Sequence, residues 1–262
     1  MDTFHITENR LSFKTLLRIF LRSFFLQGSF STKYRQNVGF AFCIEPVCDE
    51  LWTDPESKRN FLIRHSEYFN GNPFMATLIL GAVANMEEHL RYDKGMTESE
   101  IIRFKKVAGP ATGSVGDRFF WSNLRPFGII LGLLSTFFCG VWGFLIFLAV
   151  FNIPMIIIKW YWLWEGYKLG PNVVSRIKSS RLESAERIME IVGSILIAFF
   201  SVIVIFNFTG ASYSFNWIWV CALGMFIFSL IMLKLHLPVH KLFPYVIFIS
   251  VLLCLVINTI IL

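Results

Sequence analysis

The second half of this chain is nearly without charge. Residues 127–262 hold 8 Lys+Arg and 4 Asp+Glu, against 16 and 14 in residues 1–126. The shortage is concentrated, because 126–158, 191–233 and 242–262 contain no Asp, Glu, Lys or Arg at all. A helix needs about 20 mostly apolar residues to cross a bilayer, so each run is long enough for one pass. The middle run has room for two, with the polar stretch 207–216 (NFTGASYSFN) as the turn between them. These lengths predict an integral membrane protein with three to five transmembrane helices, mainly in the C-terminal half.

Chemistry is missing as well. The five cysteines (Cys43, Cys48, Cys139, Cys221, Cys254) show no metal-ligand spacing and read as reduced, structural residues. Neither GxxxxGK[ST] nor GxGxxG occurs, so no phosphate or dinucleotide loop is expected. The histidines lack metal partners, and Glu87-Glu88-His89 reads as a helix end. No nucleophile-and-base pattern can be assembled. The reading is therefore a non-enzyme with no catalytic residue, metal or cofactor. The net charge of +6 is spread among acids rather than gathered on one face, which argues against nucleic acid. Lys168, Arg176, Lys178, Arg181 and Arg187 flank apolar runs as cytoplasmic-side anchors would. Residues 1–22 have no uninterrupted apolar core of a signal peptide, so the internal segments are expected to direct insertion.

The charged first half is all helix and turn in its patterning. Residues 7–26 read as a basic amphipathic helix starting near Thr7. It would lie in the membrane interface or pack on its own domain. Residues 34–52 form an apolar segment kinked at Pro46. A helix over 57–69 ends at the turn Asn70-Gly71-Asn72-Pro73, and another covers 74–92. Asp93–Glu100 reads as a solvated loop before a short helix over Ile101–Val107. Segments of 10–15 residues are too short to span and suit re-entrant or discontinuous helices, or a soluble helical domain. The resulting division is an amphipathic helix (1–26), a core with re-entrant helices and the first spans (27–175), and a C-terminal transmembrane scaffold (176–262).

Gly109–Pro126 (GPATGSVGDRFFWSNLRP) stands directly before the first long apolar run. Its glycines permit bending and close approach. Asp117 and Arg125, placed beside a membrane, are costly unless paired or functional. Asp117 also suits the N-cap of a helix starting at Arg118. Amides at helix breaks (Gln27, Gln36, Asn37, Asn70, Asn72) offer both donors and acceptors to vicinal hydroxyls, as a sugar requires. Local turn bonding is the plainer use of Asn70 and Asn72.

Seven collinear pieces together resemble one family: RSFFLQGSF (22–30), QNVGFAFCIEP (36–46), RHSEYFNGNPF (64–74), LILGAVANMEEH (78–89), GPATGSVGDRFFWSNLRP (109–126), FNIP (151–154) and GYKLG (166–170). They are similar to the IID membrane subunit of mannose/fructose/sorbose-type sugar phosphotransferase systems. The resemblance implies a bacterial inner-membrane chain that pairs with a IIC subunit, usually as a trimer of IIC–IID pairs in lipid. It would translocate a hexose or amino sugar by movement of a core against a scaffold. Separate IIA and IIB proteins would carry the phosphohistidines, and IIB would phosphorylate the sugar. A non-transporting receptor or scaffold derived from the family is the alternative. Arg118 stands where the family has a small residue or Pro, Thr112 replaces a usual Leu, and Lys33-Tyr34-Arg35 replaces an acid–basic–Met segment. Within this reading Asn70, Asp117 and Gln27 are expected near the sugar path, with Trp121 and Arg125 shaping it.

Overall fold

The computed structural model describes residues 11–92, 95–176 and 180–209, with Gly224, Ile227 and Ile231 beyond them. Among the described residues up to 209, the α-helices in chain order are α1 (Phe13–Arg22), α2 (Asn37–Leu51), α3 (Pro55–His65), α4 (Ala76–Tyr92), α5 (Glu98–Gly116), α6 (Arg125–Cys139), α7 (Trp142–Leu169) and α8 (Ser180–Thr209). A π-helical segment, Asp117–Leu124, joins α5 to α6 without a break, and short 3₁₀ turns follow α1 and α7. The chain forms two compact units that interleave in sequence. One holds residues 1–117 and 154–179, the other 118–153 and 180–262. The chain passes between them at the π-segment, at Pro154 inside α7 and just before α8.

In the first unit the helix starts follow local chemistry. Ser12 rather than Thr7 caps α1 by accepting from the Thr15 amide, while Thr7 lies outside the described residues. Asp54 caps α3, with Pro55 in the first turn, and the Arg64 cation in the last turn suits the C-terminal end of the helix dipole. Thr97 and Glu100 form a reciprocal capping box that starts α5 at Glu98. Helix α1 buries Leu16 and Ile19 and packs on α2, yet it leaves Phe13, Leu17 and Leu21 exposed, as the 3₁₀ turn after it leaves Phe24 and Phe25. It thus combines domain packing with an apolar face open to surroundings. Helices α4 and α7 cross where each has a glycine. A Cβ on Gly81 would lie 2.1 Å from the Leu163 carbonyl, and one on Gly166 would lie 2.1 Å from that of Leu78.

In the second unit α6 and α7 form a hairpin turning at Gly140, whose φ of +57° is the left-handed region that glycine tolerates. Ile130 and Leu134 of α6 pack on Ile197 and Ala198 of α8. Among the described residues, three helical stretches are long and apolar enough to span: Glu98–Cys139, Trp142–Val173 and Leu182–Val204. The first has 42 residues, about 60 Å of helix. That is twice a hydrocarbon core, so only its apolar C-terminal part is needed to cross. The 207–216 turn beyond Thr209 and the run 242–262 lie outside the described residues. The protein is an all-α membrane protein.

Candidate functional site

The turn at 69–72 is seated on α5, and the sequence shows why. Positions 109, 112, 113 and 116 share one face of a helix. All are small, and three are glycine. A Cβ on Gly109 would stand 2.7 Å from the Asn70 carbonyl oxygen, and one on Gly116 would stand 2.5 Å from the Asn72 side chain. Thr112 is buried there and turns its hydroxyl inward, donating to the Ala108 and Gly109 carbonyls. The glycines do not bend this stretch away from helix, since α5 runs unbroken to Gly116. They let another backbone lie against an intact helix.

Asn72 is the centre of the seat. Its Oδ1 accepts from the Phe74 and Met75 amides at 2.9 and 3.2 Å, which caps the approach to α4. Its Nδ2 donates to Asp117 Oδ1 at 2.8 Å. Gln36 Oε1 accepts from the Gly71 amide at 3.2 Å, and the Gln36 amide donates to the Phe69 carbonyl at 2.9 Å. Asn37 Nδ2 donates to the Ser66 carbonyl at 2.8 Å. Arg35, next to this strip, has φ of +59°, which is rare for a residue with a side chain. Such strain persists only where surroundings over-determine it. Asp117 is not the N-cap expected of it. Its own backbone is helical, since the helix continues from α5 into the π-segment. Its carboxylate is exposed, held on one side by Asn72.

Asn70 is exposed on the same turn, next to Gly109, and Gln27 is exposed in the loop after α1. The structure therefore brings Asn72 and Asp117 together and sets the Asn70 backbone against Gly109, two turns earlier on α5, while Gln27 lies in a separate loop. Trp121 and Arg125 belong to the second unit. There the Arg125 guanidinium lies 5.5 Å from the Trp121 ring centre, and Trp121 lies 6.4 Å from Phe151. In that unit Arg118 Nε donates to Glu186 Oε2 at 2.8 Å. The π-segment is supported from within, because Asn123 Nδ2 donates to the Arg118 carbonyl at 3.0 Å. Single π turns inside α-helices recur at functional positions.

The patterning missed a buried ionic cluster. Arg64 is bidentate on Glu87, with Nε and Nη2 at 2.6 and 2.5 Å, and His65 Nε2 meets Glu87 Oε1 at 2.8 Å. Lys105 Nζ donates to the Arg64 and His65 carbonyls at 3.0 and 3.3 Å. Relative exposures are 3% for Arg64, 0% for His65 and Glu87, and 2% for Lys105. Burial pushes the His65 pKa down to about 4, helped by the neighbouring Lys105 and Arg64 cations, so the ring is neutral. Burial alone would raise Glu87, but hydrogen bonds from Arg64 and His65 hold it below the ordinary glutamate range. Glu87 and Glu88 stand near the end of α4 and are interior groups, and Glu88 accepts from the Tyr167 hydroxyl. The signal available was an acid pair beginning three residues after the unbroken apolar run 78–84.

Residues 10–259 match the family model for the mannose/fructose/sorbose IID component of the phosphotransferase system. The chain belongs to this IID family. It is 33% identical over 188 residues to the fructose permease IID component of Bacillus subtilis, covering 71% of this chain and 68% of that one. It is 30% identical over 189 residues to the mannose-specific EIID component of Escherichia coli K12, covering 71% and 66%. The IID chain thus spans about two thirds of these relatives' length. Among solved structures it resembles a complex of the mannose transporter ManYZ with microcin E492, at TM-score 0.60 and 27% identity. The match covers 74% of this chain and 71% of that one. These relatives are named as transport components, consistent with a permease subunit.

Proposed function

We propose that this IID chain pairs with a IIC subunit in a bacterial inner membrane to form the sugar-conducting unit of a phosphotransferase permease. Cytoplasmic IIA and IIB proteins would deliver the phosphoryl group to the arriving hexose or amino sugar. The observation that carries the reading is the seat of the 69–72 turn on α5, where Asn72 orients the exposed Asp117 carboxylate. A carboxylate accepts from two vicinal hydroxyls at once, and the exposed Asn70 amide, further along α5 on the same turn, would supply both a donor and an acceptor. Gln27, Trp121 and Arg125 are the further residues assigned to the path in this account. A trimer of IIC–IID pairs in lipid is the assembly we infer.

The test is sugar uptake by cells lacking their own mannose-type permeases, supplied with IIC, IIA, IIB and this chain. Asp117→Ala should lower uptake at least tenfold while the protein still reaches the membrane. Unchanged uptake would remove Asp117 from the sugar path.

A further inference from the structure

Lys105 has no partner in the sugar reading, yet its place is unusual. It lies on α5 one turn before Gly109, on the face that continues through Thr112 and Gly116 to the seat of the 69–72 turn. Its ammonium is buried and meets three fixed features: the last two carbonyls of α3 (Arg64 and His65) and the Phe40 ring, whose centre is 4.7 Å away. The chain that leaves those carbonyls is the segment 66–72, which ends at Asn72 and its bond to Asp117. Segment 66–72 is therefore held to α5 at both ends. Arg64 and His65 are in turn fixed by Glu87 of α4, so helices α3, α4 and α5 meet in one ionic node.

A buried ammonium is a poor way to gain stability, since a methionine of similar length would fill the space without desolvating a charge. What the charge supplies is direction. Nζ satisfies its protons only where both carbonyl dipoles converge, and a slide of α5 by one residue, about 1.5 Å, breaks both bonds. We propose that Lys105 is a positioning residue that sets the register of α5 against segment 66–72 and so places Asn70, Asn72 and Asp117 relative to one another. Its link to sugar handling rests on the function proposed above, whereas the register itself does not.

The two are separated by two readouts on the full chain, co-expressed with IIC in membranes. Gly113 lies under the turn, yet a Cβ there has its nearest neighbours at 3.9 Å, so a cysteine fits. Labelling of Gly113→Cys by a small maleimide, above the rate of the chain with Gly113 intact, reports whether the turn stays seated. Lys105→Met should raise that rate at least tenfold, and Lys105→Arg should restore slow labelling. In uptake, Lys105→Met should raise KM at least fivefold with kcat changed less than twofold. If Lys105→Met fails to reach the membrane, Lys105→Gln takes its place with the same expectations. Equal labelling rates with and without the lysine would overturn the proposal. Faster labelling without any wild-type sugar uptake would uphold the register while sinking the transport reading.

Discussion

At Gly116 a side chain has no room, because Asn72 occupies the place a Cβ would take. Gly116→Val should therefore push the 69–72 turn off its seat and destabilise the fold by about 1–3 kcal/mol, as overpacking does elsewhere. A fall in thermal midpoint of the purified protein, with Gly113→Ala nearly unaffected, checks this. Asn72→Ala removes both a helix cap and the donor to Asp117. The cap alone is worth about 1 kcal/mol. The sequence marked Gly109–Pro126 and Asp117 but favoured Asn70 over Asn72 in the turn. Both are amides beside a glycine, and only tertiary contact separates the buried one from the exposed one. Arg118 was visible as a departure from the family pattern, and the structure gives it a partner within its own unit, Glu186.

Helix breaks were legible where the breaker is local chemistry, as at the Asn70–Pro73 turn, but two starts were missed. Asp54 caps a start of α3 at Pro55, two residues before the expected 57, and the Thr97–Glu100 box begins α5 inside the stretch read as a solvated loop. Extents were less so. The short helix expected over 101–107 runs from Glu98 to Gly116 and on into the π-segment, because glycine and Pro110 are tolerated when a packed neighbour holds the helix in place. The ionic node linking α3, α4 and α5 was illegible, since its members are up to 41 residues apart. The node has a pH signature of its own. His65 ordinarily titrates at 6.5 but is lowered to about 4 in the fold. As pH falls through 6.5 the unfolded chain takes up a proton that the folded chain refuses. Stability should therefore drop between pH 6.5 and about 4, by up to ~3 kcal/mol, before Glu87 adds a loss at lower pH. Thermal unfolding across that range in wild type and His65→Gln checks it. The slope should flatten in the variant.

For the whole molecule, charge-free length marked the second half as membrane-spanning, because lipid selects composition over long stretches. It misplaced the passes, however: the run 126–158, read as one pass, turns at Gly140 between α6 and α7. It did not reveal that the chain interleaves into two units. Their boundaries fall at Asp117–Arg118, at Pro154 within α7 and before α8, none of which changes composition. Membership of the IID family joins these units to a transport role, with the exposed Asp117 at the end of the first. The central claim is that this chain completes a sugar permease with a IIC subunit. It is tested most directly by uptake of labelled mannose, fructose, sorbose and glucosamine into cells that carry IIC, IIA and IIB, with and without this chain. The account predicts uptake of at least one of these sugars at ten times background or more only when the chain is present. Equal uptake with and without it, alongside a chain that never co-purifies with IIC, would contradict the account.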